Sequence, residues 1–268
     1  MKKSLKILAS VLLVSLFMIA CNTVPLTGRK QVNMISSSEM QTMSFQQYDQ
    51  FLEENAISKN TQQTETVKRV GKNIQTAVEK YLIDNGHSSI LEGYEWEFNL
   101  VENDQINAWC MPGGKVVVYT GILPITKDET GLAVVMGHEI AHAIAKHGNE
   151  RMSQQLLQQA GSVGLMVAMK DHPAETQLMW QSVYGVGSQL AVMLPYSRTH
   201  ESEADHLGLI FMAMAGYNPE EAPKFWERMS AVSGEKPPEI LSTHPSDATR
   251  INNLNQKMPE ALNYYKPN

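Results

Sequence analysis

Between Leu132 and Ala145 the chain reads LAVVMGHEIAHAIA, and its only ionisable residues there are His138, Glu139 and His142. No other segment constrains the fold as tightly. A stretch that is apolar on every face reads as a buried helix. Ionisable side chains inside such a helix are costly unless they are paired or hold a metal. A helix advances about 100° per residue, so His138 and His142 share a face, one turn apart. Two imidazoles at that separation can grip one ion. Glu139 stands beside them, placed to take a proton from water at that ion rather than to bind it. The HExxH pattern alone also recurs by chance on exposed helices; the apolar surroundings favour the metal reading here. Asp128 suits a cap and Gly148 a stop, so the helix is expected over 128–147.

Two histidines leave an ion short of ligands. An extended motif would need Gly at 145 and His at 148, but the chain has Ala145 and Gly148. His147 stands about 140° round the helix from His142 and faces away. The better candidate lies downstream in SRTHESEAD, residues 197–205. Glu201 and Asp205 are four apart and share a helix face. Glu201 can complete a two-histidine, one-carboxylate set with water in the open position. Asp205 can accept the free N–H of a ligand imidazole. The competing reading is a solvated acidic face.

The remaining chain sets the frame. Its 268 residues, 43% hydrophobic, suit one sizeable domain, with or without a tail. A net charge of -6 argues against the basic face that nucleic-acid binding needs. MKKSLK, an apolar run over 7–20 and then Cys21 have the layout of a signal peptide over 1–20. The run is short for a membrane-spanning helix. Met18-Ile19-Ala20-Cys21 looks like a bacterial lipoprotein cleavage site, with lipid on Cys21; a plain signal peptide or a transmembrane anchor are the alternatives. Residues 21–36 are expected to be a lipidated tether and 37–268 the folded domain. Periodicity predicts helices over 38–55 and 64–83 and a strand over Tyr94–Leu100. A hairpin is expected from 105–111 and 115–119 around Pro112-Gly113-Gly114. Asn218-Pro219 reads as a helix start. The apolar stretch 160–169 is too short to span a membrane and is expected over the site or in the core.

GHEIAHAIAKH followed by SRTHESEAD resembles the HtpX-like, CAAX-prenyl-protease-like gluzincin family of zinc metallopeptidases. Within it the chain is most similar to the Oma-like branch and to the BepA- and LoiP-type periplasmic lipoproteins. Asn107-Ala108-Trp109 with Pro112-Gly113-Gly114, Val117, Tyr119 and Gly121 resembles the family's strand pair. Pro25-Leu26-Thr27-Gly28-Arg29 resembles those lipoproteins' mature start, and Thr243-His244-Pro245-Ser246 with Arg250 resembles a late family element. The similarity covers most of 22–257. The chain given ends at residue 268, without the helical-repeat tail of the BepA type, so no partner on such a tail is carried over.

The resemblance implies an α+β fold, a mostly helical zincin-type domain with a small antiparallel sheet beside the active-site helix. It implies one zinc ion held by His138, His142 and Glu201, with Glu139 as base. For His244 it implies either an oxyanion-side donor or a residue that visits the metal's open position; a surface histidine before proline is the plain alternative. Arg198 and Arg250 are candidates to position carboxylates or substrate, or ordinary surface arginines. Asn107, Ala108 and Trp109 are candidates for a sheet edge that takes up an extended peptide as a further strand, against the alternative of an interior strand. The expected activity is zinc-dependent endoproteolysis of unfolded or misassembled envelope proteins. Its rivals are a zinc-stabilised chaperone or assembly factor with latent protease activity, and a metal-dependent hydrolase of other substrates. The expected location is the bacterial cell envelope, lipid-anchored through Cys21, with Asn22 favouring the outer membrane on its periplasmic side.

Overall fold

The computed structural model describes residues 21–25, 27–189, 193–232, 240, 244 and 248–267. The expected signal peptide lies outside the described residues, as do Thr243, Pro245 and Ser246. In chain order the strands are β1 (Cys21–Thr23), β2 (Lys30–Val32), β3 (Glu97–Val101), β4 (Ala108–Met111) and β5 (Lys115–Tyr119). The longer helices are α1 (Ser37–Glu54), α2 (Thr61–Asp84), α3 (Glu129–Ile144), α4 (His147–Met169), α5 (Ala174–Ser188), α6 (Leu194–Met214), α7 (Glu221–Ala231) and α8 (Ala248–Tyr264). They form two compact units, one from the residues up to Ser36 with Lys146–Ser197, the other from Ser37–Ala145 with Arg198–Asn268. The expected α+β, mostly helical class holds.

The larger unit is built around α3. Asp128 caps it, its side chain accepting from the Gly131 N–H at 3.0 Å. Every residue from Gly131 to Ile144 is buried. The helix stops earlier than Gly148 suggests. Lys146 takes a left-handed conformation, φ 57°, which interrupts the run, and Gly148 lies inside the next helix. On one side α3 packs against α2, whose Val67, Val70, Ile74, Val78 and Leu82 are fully buried at helical spacing. On another it meets the sheet and α7, which supplies Phe225, Trp226 and Met229.

The sheet is mixed rather than antiparallel. β5 is central, in the order β3-β5-β4, antiparallel to β4 but parallel to β3. The hairpin forms where expected, turning on Gly113 and Gly114 at φ 93° and 89°, a region glycine enters without steric cost. Its inner strand KVVVY is buried throughout, as a central strand should be. Period-2 patterning marks a strand but carries no information on its neighbour's direction.

β4 is an edge strand, packed on α3 and paired with β5 alone among the described residues. The Asn107 carbonyl accepts from Tyr119 N–H, and Trp109 stands opposite Val117. Alternation along the strand then turns the main-chain groups of Ala108 and Cys110 to the open side. Trp109 packs edge-on to Tyr48 and Phe51 of α1.

A close helix crossing brings the two halves of the motif together. A Cβ on Gly137 would stand 3.1 Å from the Gly208 carbonyl oxygen, and one on Gly208 would stand 3.1 Å from the His138 nitrogen. Without side chains at these positions, α6 can lie directly on the histidine-bearing turn of α3.

In the smaller unit, residues expected to be a tether instead carry the short antiparallel pair β1–β2, with Cys21 opposite Val32. This segment is bound to the start of α4. Arg29 donates to both Glu150 carboxylate oxygens at 2.9 and 2.7 Å, Asn149 donates to the Ile35 carbonyl at 2.7 Å, and the Met34 N–H donates to the Ser153 hydroxyl at 2.8 Å. The apolar stretch 160–169 is not core: Val163, Met166 and Val167 are exposed.

Candidate metal centre

Four side chains converge: His138 and His142 from α3, Glu201 from α6, and His244 from outside the helices. One donor atom from each lies within 4.8 Å of the others. His138 Nε2 is 3.0 Å from His142 Nε2 and 3.2 Å from His244 Nδ1. Glu201 presents Oε1 to His142 Nε2 and Oε2 to His138 Nε2, each at 3.3 Å. His244 Nδ1 lies 2.9 and 3.0 Å from the two Glu201 oxygens. All four are buried or nearly so. Lone pairs crowded toward one point are satisfied by a cation at that point, and three imidazoles with one carboxylate are a donor set that suits a divalent metal.

The surroundings orient these donors. Asp205 Oδ1 is 2.9 Å from His138 Nδ1, so the proton sits on Nδ1 and the Nε2 lone pair faces the cluster. Arg250 holds Asp205 from behind, donating from Nε to Oδ2 at 2.9 Å and from Nη2 to Oδ1 at 2.6 Å. Its guanidinium lies 3.4 Å over the Trp226 ring, and that ring stands edge-on to His138. Burial pushes the Asp205 carboxyl up, but the Arg250 charge and the His138 hydrogen bond outweigh it and hold it below the usual carboxylate range. Burial also pushes Glu201 up, yet the His142 charge and hydrogen bonds from the histidines hold it ionised far below its ordinary value. For His138, burial and Arg250 lower the pKa, while hydrogen bonds to Asp205 and Glu201 prevail and raise it to about 9.

Glu139 is different. It is buried, its Oε1 has no hydrogen-bond partner among the described residues, and His244 Nε2 lies 3.6 Å from that oxygen. Burial raises its pKa. An unsatisfied carboxylate beside a donor cluster is poised to accept a proton from whatever occupies the space between them.

Each residue expected from spacing is thus at the cluster or one contact behind it. Arg198 is exposed and outside it, whereas Arg250 is buried within the carboxylate–imidazole network. Trp226 was not anticipated; nothing in KFWERM separates it from any core aromatic. His147, buried at the start of α4, is not among the four donors.

Residues 68–258 match the profile of Peptidase family M48. The chain belongs to this family. Its matched region is a metallopeptidase domain. The mitochondrial metalloendopeptidase OMA1 of Arabidopsis thaliana is 32% identical over 243 residues, covering 89% of this chain and 44% of that protein. The mitochondrial metalloendopeptidase OMA1 of Homo sapiens is 31% identical over 248 residues, covering 89% of this chain and 46% of that protein. The beta-barrel assembly-enhancing protease of Escherichia coli (strain K12) is 31% identical over 175 residues, 61% of this chain and 35% of that protein. The chain spans about half the length of the curated relatives it matches.

These relatives correct the expected location. Those aligned over 89% of the chain are mitochondrial by name, which overturns the placement in a bacterial outer membrane. No described helix is long and apolar enough to cross a membrane.

Proposed function

We propose that this chain is a zinc-dependent metalloendopeptidase acting on unfolded or misassembled polypeptides. The observation that carries the reading is a buried Glu139 oxygen, without a partner among the described residues, beside a convergent donor set in a chain of family M48. His138, His142 and Glu201 would hold the ion. When bound, zinc supplies Lewis acidity and makes water a nucleophile at neutral pH. Glu139 is placed to accept a proton from an attacking water and to return it to the leaving amine. Asp205 fixes the His138 tautomer, and Arg250 fixes Asp205.

The substrate is taken up along β4. Asn107 and Trp109 secure the strand to β5 and α1, while the Ala108 carbonyl and the Cys110 main chain face an added strand; the Ala108 N–H donates to Asn107 Oδ1 at 2.9 Å, a bond the incoming strand would displace. Such pairing reads backbone rather than side chains, so it selects chain that is already unfolded. His244 stands with the other three donors, and as a fourth protein ligand it would close the position that hydrolysis needs. His244 therefore restrains the resting enzyme and leaves when substrate enters. This latency is what would support the second reading, a zinc-stabilised chaperone with secondary protease activity. The lipid anchor on Cys21 stays a proposal from the signal layout, and the mass of the peptide carrying Cys21 tests it.

The test is digestion of casein beside a folded protein of similar size, by the parent and by Glu139→Gln. The reading expects internal fragments of casein from the parent alone. Equal cleavage by Glu139→Gln would remove the proposed mechanism. Full biological activity in that variant would favour the chaperone.

A further inference from the structure

Between Arg151 and Arg198 the chain carries only three acidic or basic residues, Lys170, Asp171 and Glu175. Lys170 and Asp171 sit at the turn joining α4 to α5, and Glu175 in the first turn of α5. The two helices flanking that turn pack on one another in an order opposite to that of helices in water. Their facing sides are polar or small: Gln158 donates to the Ser188 hydroxyl at 2.6 Å, the Tyr184 hydroxyl donates to the Gln158 carbonyl at 3.1 Å, and Gly161 leaves room for the Tyr184 hydroxyl. Their outer sides are apolar. Leu156, Ala160, Val163 and Val167 form one stripe at helical spacing, and Met179, Val183 and Val186 form another. Val167 and Leu178 are each 64% exposed and Trp180 46%. No residue of α5 is buried, and in α4 burial ends at Ser153.

We infer that this helical hairpin is a lipid-binding element, sunk into the surface of a bilayer so that its outer apolar stripes meet acyl chains. Small residues and hydrogen-bonding side chains between the helices, with apolar residues outside, are the arrangement of helices solvated by lipid. The uncharged run from Met152 to Met169 in α4, and from Thr176 to Ser188 in α5, suits burial at the boundary of headgroups and acyl chains, and Trp180 suits that boundary as an aromatic anchor. Neither helix is long and apolar enough to cross a membrane. The chain outside the described residues supports lipid over a second copy. Its apolar run, 7–20, ends immediately before Cys21, where β1 begins. The segment that follows is bound to the start of α4 through Arg29, Met34 and Ile35. A membrane met by lipid on Cys21, the anchor proposed above and the one point on which the inference rests on that reading, is therefore held beside the foot of the hairpin.

The experiment uses the full chain in vesicles of phosphatidylcholine and phosphatidylglycerol, with and without acyl chains brominated near the glycerol end. The Trp180 signal is the difference between the parent and Trp180→Phe. Brominated lipid is expected to quench that difference roughly twofold, as for an indole at the interface. A Val167→Asp/Val183→Asp variant is expected to lose the quenching while cleaving casein in detergent like the parent. Both positions are exposed, so folding tolerates the change. Quenching of Trp180 by aqueous acrylamide but not by brominated lipid would overturn the inference. So would protection from both quenchers, which would assign the face to a second copy or a polypeptide, and so would unchanged lipid quenching in the double variant.

Discussion

Replacing Asp205 with alanine is the sharpest single test of the network behind the site. The carboxylate and the Arg250 guanidinium have side chains only 8% and 5% exposed, and two hydrogen bonds of 2.9 and 2.6 Å join them. Asp205→Ala removes the two short hydrogen bonds of a buried guanidinium and leaves it the Glu201 oxygen 3.5 Å away, which costs up to about 3–5 kcal/mol. It also frees the His138 ring from the hydrogen bond at its Nδ1, and losses of this kind lower metal affinity roughly 10–100-fold. The two effects separate experimentally. Urea unfolding with chelator present reports the charge effect alone, and zinc titration of the folded protein reports the second. Asp205→Ala/Arg250→Met removes both charges and should cost less than the sum of the two single changes, because neither variant charge is left alone. A chelated Asp205→Ala protein within about 0.5 kcal/mol of the parent would refute the argument. Strict additivity in the double variant would refute it as well.

Other outcomes follow from the same geometry. His244→Ala should keep zinc bound and raise casein cleavage severalfold; a fall to the level of Glu139→Gln would instead give His244 a direct part in the reaction. Gly208→Ala inserts a methyl 3.1 Å from the His138 nitrogen, and overpacking of this kind costs about 1–3 kcal/mol. A thermal melt and a zinc titration should both weaken, and a melt and affinity equal to the parent's would contradict the helix crossing described here. Chelation should abolish cleavage and lower the melting temperature, with zinc restoring both; excess zinc at a hundredfold its Kd contributes about 2.7 kcal/mol. A melt insensitive to zinc would mean that the cluster does not bind it.

What was legible in the sequence was what helical period fixes locally. His138, Glu139 and His142 on one apolar helix, and Glu201 with Asp205 one turn apart, needed only the angle per residue. The hairpin around Gly113 and Gly114 was equally local. The parallel pairing of β3 with β5 was not, because it depends on which strand lies between the others. Nor was the end of α3: Gly148 is the better stop by residue type, yet Lys146 takes the left-handed turn. Arg250 lies in a polar helix without any spacing that marks it, and only folding shows it buried against Asp205 and Trp226. His244 came from a resemblance, since one histidine in THPS has no partner at helical spacing. The stretch 160–169 reads alike whether its neighbours are core side chains or lipid, and exposure alone distinguishes them.

The most direct measurement is zinc content together with casein cleavage for the full chain, its Glu139→Gln variant and its Glu201→Ala variant. The account predicts a single zinc ion per chain in the parent and in Glu139→Gln, zinc weakly held in Glu201→Ala, and cleavage by the parent alone. A well-folded parent that binds no zinc, or a Glu139→Gln protein that cleaves as the parent does, would contradict it.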